Sequence, residues 1–231
     1  QGPALVYDYD PAAERLDHYL LRKGDRQPLA LDLALPLVRD IAEAVRYAHA
    51  RRLYHRALSP QSIYVREDER GVPRIKIGNW STAERLAETE SARLSALSHL
   101  SQVVQQEAGP FVALEAHSDP QADGAYLDVF SLGAIAYLLF TGKRPAESDL
   151  ELQDKLRQNK GLLITDALNG ASQGLQDLIR YATHPDVSAR IDSVESFLEY
   201  LALAEDELTR PDNQRRDNPV EARPGDWLEG G

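Results

Sequence analysis

Cysteine is absent from the 231 residues. That excludes disulfides and thiolate chemistry, and it fits a reducing, cytoplasmic setting. No apolar run approaches the ~18 residues of a membrane span, and no secretory signal is recognisable. Positive charge is in short supply: 26 Lys and Arg face 37 Asp and Glu, a formal net charge of −11. This argues against a nucleic-acid partner, which needs a clustered basic face, and against an anionic membrane surface. The histidines at 18, 49, 55, 99, 117 and 184 are scattered without ligand spacing, so no metal is expected. No GxSxG elbow supports a hydrolase. What is present, 42% hydrophobic and 27% charged residues, is ordinary for one soluble domain with its own core. Arg and Ala are abundant and Lys is scarce, a composition that points to a GC-rich bacterial genome.

The periodicity is mostly helical. Leu33, Leu37, Val38, Ile41, Ala44, Val45 and Ala48 form one stripe, predicting a helix over 33–50 with Pro36 tolerated in its first turn. Strands are predicted over 62–65 and 74–77, joined by the Gly- and Pro-bearing turn "EDERGVP". Residues 81–106 have Leu and Val near helical spacing. Residues 128–141 are apolar almost all round, as in a central buried helix, and Gly142 stands at its C-cap. Amphipathic helices are predicted over 150–158, 171–183 and 193–204. Residues 205–231 are charged, proline-bearing and nearly free of aliphatics, which is linker composition.

Motifs in fixed order carry more. "YHRALSPQSIYV" (54–65) resembles the "HRDLKPxNI" loop of protein kinases. "RIKIGNWSTAERL" (74–86) resembles the kinase strand that ends in Asp-Phe-Gly. "FVALEA" (111–116) is similar to the end of an activation segment, and "DVFSLGAIAYLLFTGKRP" (128–145) to the central kinase helix. "HPDVSARIDSVESFLEYL" (184–201) is similar to the stretch around the kinase C-lobe arginine. The resemblance covers about residues 5–204 and implies a mainly α fold. That fold is a kinase C-lobe-like helical bundle with one or two short β-hairpins. Before Tyr54 nothing reads as "GxGxxG" or "VAIK", so the N-lobe is expected to be absent from this chain. Residues 1–11 would be the last N-lobe strand and the hinge, 12–204 the C-lobe, and 205–231 a flexible linker. The final "RPGDWLEGG" resembles the opening strand of a second kinase domain. Tandem arrangements of this kind occur in bacterial multidomain kinases, including regulators of phage-defence systems.

The resemblance also assigns roles. Ala57 stands where the kinase base aspartate would be, Ser59 at a lysine, Ser62 at a metal-binding asparagine. Asn79, Trp80 and Ser81 replace Asp-Phe-Gly. Phosphoryl transfer depends on positioning and on oxygen ligands for magnesium. Magnesium rarely binds through a lone amide, and none of His55, Ser59 and Ser62 is a convincing base. No catalytic residue, metal or cofactor is therefore assigned, and the chain as it stands is expected not to be an enzyme. Trp80 is expected as a core plug. His55, Arg56, Glu115, Asp128 and Arg190 are expected as structural residues. His55 would be turned inward, Glu115 would pair with Arg190, and Asp128 would accept N–H bonds from the loop. Arg56 would be solvated and bonded to nearby carbonyls. The other reading has it grip a phosphate on Ser81, Thr82, Thr89, Ser91, Ser95, Ser98 or Ser101. The expected function is a pseudokinase-like regulatory or scaffolding domain that binds a protein partner or a neighbouring kinase domain. The alternative is the C-lobe of an active serine/threonine kinase whose N-lobe lies outside this chain.

Overall fold

A two-residue strand, β1 (Glu14–Arg15), runs directly into helix α1 (Leu16–Gly24). The structure, a computed structural model, describes residues 10–24, 27–80, 84–85, 108–166 and 172–209. Helix α2 spans Leu31–His49 and buries Ala34, Leu37, Val38, Ile41, Ala42, Val45 and Ala48. The helical stripe is there, but it begins earlier than predicted. Leu33 is exposed, and Ala34 and Ala42 take the places expected of Leu33 and Ala44. Pro36 consequently lies in the second turn rather than the first. Its ring removes one N–H bond to the carbonyl four residues back, so tertiary burial of the stripe outweighs local propensity here.

After α2 come β2 (Leu53–Tyr54), β3 (Ile63–Glu67) and β4 (Pro73–Ile77). β3 and β4 pair antiparallel with Ile63 opposite Ile77 and Val65 opposite Ile75. Their turn is closed by Asp68, whose Oδ1 accepts from the amides of Arg70 and Val72 at 2.9 and 3.0 Å, and by Gly71 at φ 75°. Sequence reading found this hairpin but not its third strand: β1 adds to the other edge of β3. Strand β5 (Glu84–Arg85) pairs with β2, inside the stretch read as helix-capable; the rest of 81–106 lies outside the described residues. So do the strand expected over residues 5–7, the first residue of the hinge expected over 9–11, and "RPGDWLEGG".

Helix α3 is the short Glu115–Ser118. Helix α4 (Gly124–Thr141) is the centre of the lobe. Asp123 caps it through a bond from Ala125 N, and Gly142 ends it at φ 68°, where a side chain would be strained. Gly133 lets α4 meet the residues after it closely: a Cβ there would lie 2.7 Å from Ala182 Cβ. By length and composition α4 is apolar enough to cross a membrane, which corrects the expectation of no such run. It is 89% buried within the lobe, as a core helix is. Helices α5 (Asp149–Asn159), α6 (Gln173–Ala182) and α7 (Val194–Thr209) complete the bundle. α2 and α6 each pack on α7, and all three pack on α4, joining a single apolar cluster. α7 continues past the Ala204 at which it was expected to stop, so the first residues assigned to the linker are helical. Leu201 and Ala204 keep the apolar stripe running, and Arg39 pairs with Glu205.

Candidate functional site: the loop over Asp128

The loop after β2 is organised by one buried carboxylate. Asp128 lies on α4 and is fully buried. Its Oδ2 accepts from His55 N at 2.8 Å and its Oδ1 from Arg56 N at 2.7 Å. His49 Nε2, at the end of α2, lies 2.8 Å from the same Oδ2. A buried carboxylate is tolerated when several donors satisfy it. His49 belongs to this support, yet its spacing gave no sign of it. The ring of Tyr54, 4.7 Å from that of His49, packs beside it.

His55 is buried, and its Nε2 donates to the Gly78 carbonyl at 3.0 Å. This ties the loop to the end of β4. Arg56 is buried rather than solvated. Its guanidinium donates to the carbonyls of Ala122 and Pro120 at 2.9 and 3.3 Å. The carbonyl contacts were expected; the burial was not, and it arises because the 119–123 turn covers the side chain. Arg56 also holds φ at 66°, a left-handed value that its backbone bond to Asp128 enforces. The candidate phosphosites all lie outside the described residues.

The next positions are arranged by a turn of 3-10 helix, Pro60–Ser62. Ser62 Oγ accepts from Ser59 N at 3.0 Å and donates to the Ser59 carbonyl at 2.8 Å. Its hydroxyl is committed within the loop. Ala57 and Ser59 are both buried. Asn79 is exposed at φ 59°. Trp80 is half-buried rather than a core plug: its Nε1 donates to the Ile77 carbonyl at 2.9 Å and its ring lies 4.8 Å from that of His55. The indole N–H needs a partner, and it takes the Ile77 carbonyl at the end of β4. Ser81 lies outside the described residues. Magnesium of the kinase type asks for charged oxygens; here an amide and a committed hydroxyl stand instead, and the set does not fit that ion. Among the described residues no group of three His, Asp or Glu is gathered to hold a metal.

Glu115 and Arg190 meet as expected. Arg190 Nη1 lies 2.5 Å from Glu115 Oε1 and also donates to Tyr126 O at 3.1 Å, while its Nε donates to His184 O at 2.9 Å. Beside Pro60 a groove of about 660 Å³ opens between α1, α4 and α5, lined by Asp17, Leu21, Gln61, Phe111, Tyr137 and Lys155 among others. Gln61 Oε1 is buried there without a protein partner. Sequence reading did not single out Gln61.

These features define a protein kinase lobe, and the chain belongs to the protein kinase domain family, which matches residues 4–200. It is 34% identical over 242 residues to a probable kinase, PglW, of Streptomyces coelicolor, covering 97% of this chain and 15% of that protein. It is 24% identical to a probable serine/threonine-protein kinase, PknB, of Lactococcus lactis, over 77% of this chain and 26% of the relative. CBL-interacting protein kinase 21 of Oryza sativa is 28% identical over 81% of this chain and 33% of its own length. The chain thus spans a third or less of these relatives. The matches overturn one expectation. A kinase family covering most of the chain, and a relative at 34% identity named as a kinase, point to a kinase and not to a non-enzyme.

Proposed function

We propose that this lobe is the regulatory or scaffolding part of a larger multidomain serine/threonine kinase, working by contact with a neighbouring kinase domain or a partner protein. The reading includes a bacterial, cytoplasmic parent of the phage-defence type. One observation carries it. The buried frame on Asp128 is complete, whereas Ala57, Ser59, Ser62 and Asn79 offer a methyl, two buried hydroxyls and an amide where the family places two aspartates, a lysine and an asparagine. A lobe kept rigid presents a constant surface, and rigid surfaces bind with less ordering cost.

The second reading makes this lobe the C-lobe of an active serine/threonine kinase. The family match across residues 4–200 favours it. Phosphoryl transfer by the parent protein separates the two. Leu21→Asp alters the groove, where Leu21 is 50% exposed. Asn79→Gly removes the amide while suiting the left-handed backbone. The regulatory reading expects the rate to change with Leu21→Asp and to hold with Asn79→Gly. A rate that falls with Asn79→Gly and ignores Leu21→Asp overturns it in favour of the second.

A further inference from the structure

The chain carries a net charge of −11, yet the end of α2 and the turn after it gather cations. Arg46, Tyr47, Arg51 and Arg52 are all exposed there, Tyr47 by 64%. Glu43 answers the charge of Arg46, at 2.8 Å from Nε and 2.6 Å from Nη2. Arg51 and Arg52 have no acidic partner among the described residues. Arg51 lies flat on Tyr47, its guanidinium carbon 3.4 Å from the ring centroid, and its Nη1 donates to the Tyr47 carbonyl at 3.0 Å. A guanidinium has five N–H donors in a planar fork. Stacking holds that fork in one orientation, so less freedom is lost when it binds. Arg52, next to it, sits at φ 55°, a backbone value that glycine would hold with less strain.

We propose that Tyr47, Arg51 and Arg52 form a docking surface for an acidic polypeptide segment. The proposal rests on the regulatory reading above and gives its partner a chemistry. Charge complementarity selects the occupant. Two arginines next to one another in the chain, with no acidic partner among the described residues, match carboxylates, which accept their paired N–H bonds. The carbonyl end of α2 is partly negative, and the two arginines beyond it reverse that sign. A long polyanion such as DNA would run over the acidic remainder of the protein. A short acidic segment feels mainly the charges within about 8 Å at physiological salt.

The test uses the whole chain and a fluorescein-labelled oligoglutamate peptide of about ten residues, followed by fluorescence anisotropy as salt is raised. Binding is expected, with Kd rising about tenfold or more in Arg51→Ala/Arg52→Gly. The paired control Arg66→Ala/Arg74→Ala on the β3–β4 hairpin should change Kd by less than about twofold. Arg52→Gly alone fits its backbone, so it should keep its melting temperature and still weaken the peptide. Absent binding, or equal weakening by both double variants, overturns the proposal. So does peptide binding that needs Glu88→Gln/Glu90→Gln, because the chain's own acidic stretch would then be the occupant. Tighter binding of a DNA duplex than of the peptide overturns it too. If the peptide fails while Leu21→Asp still alters phosphoryl transfer by the parent, the docking surface alone has failed. If the peptide binds and no surface change alters transfer, the regulatory reading alone has failed.

Discussion

Residues 55–62 have two sides of unequal character. Toward α4 the backbone is bound to Asp128, with His49 completing the carboxylate and His55 bridging to Gly78. On the side where the family keeps its base and metal-binding residues, Ser62 is turned back on Ser59 and Ala57 offers a methyl. The contrast separates two demands that one loop meets in this fold. Holding the loop's shape requires buried donors and acceptors to be matched, because an unmatched one costs ~1–3 kcal/mol. Supplying reactive groups is a separate requirement, and the sequence can change one set while keeping the other.

The largest effect should follow from removing the frame's centre. Asp128→Ala strands the buried amides of His55 and Arg56 and leaves His49 without its acceptor. At ~1–3 kcal/mol for each orphaned group, a loss of about 4 kcal/mol is expected in urea unfolding. A loss below about 1 kcal/mol, within the range of ordinary surface substitutions, would break the comparison.

The clamp between Glu115 and Arg190 comes next. Their side chains are 23% and 1% exposed, so the arginine is the buried partner and the glutamate reaches water. Arg190→Ala should cost about 3 kcal/mol, and Glu115→Ala should cost a similar amount by leaving a buried cation. Glu115→Ala with Arg190→Met should recover much of the loss, since an apolar side chain of similar length needs no partner. Additive losses in a denaturant titration would show that the pair is not coupled.

Much of this frame could be read in the sequence, for a physical reason. His55, Arg56, Asp128, Glu115 and Arg190 lie in runs whose order and spacing are tied to the fold, and the apolar stripe of 33–50 and the all-round apolar 128–141 fix the helices between them. What escaped was contact between distant residues of ordinary type. His49 looked like one more scattered histidine, and only the crossing of α2 and α4 puts it on Asp128. β1 is two residues long and pairs with a strand about fifty positions away, so it has no periodicity to detect. Trp80 was placed by size alone, whereas its N–H decided where the ring lies. The stacked Arg51 and Tyr47 are ordinary surface residues until the turn after α2 folds one back over the other.

A pH titration probes α1 and β3, outside the loop. Burial, then the hydrogen bond to Glu67 at 3.2 Å, pushes the Tyr19 phenol up to about 12. The folded state therefore favours the protonated phenol. Its contribution is complete below the ordinary tyrosine value of about 10 and is lost as pH rises through about 12. Unfolding free energy should drop over that window, and Tyr19→Phe should drop less. Equal alkaline losses in the two proteins would show that Tyr19 does not titrate with unfolding. This site should leave stability unchanged between neutral pH and about 9.

The smallest effect compares two strained residues four positions apart. Arg56 and Arg52 both hold left-handed backbones, at φ 66° and 55°. Arg56 is buried, its amide is bound to Asp128 and its guanidinium to two carbonyls, so native contacts offset its strain. Arg52 is exposed and makes no side-chain hydrogen bond or ion pair among the described residues. A residue of L-configuration held there costs ~1 kcal/mol, and glycine avoids that cost while losing more entropy on folding. Arg52→Gly should therefore be neutral or stabilising by up to ~1 kcal/mol. Arg56→Gly should destabilise by ~2 kcal/mol or more, because the carbonyls of Pro120 and Ala122 lose their donors. Thermal melts of the two variants decide it. Equal changes would mean that strain at the two positions is offset alike and that the loop's frame ends nowhere near Arg56. Opposite signs would place that boundary between residues 52 and 56.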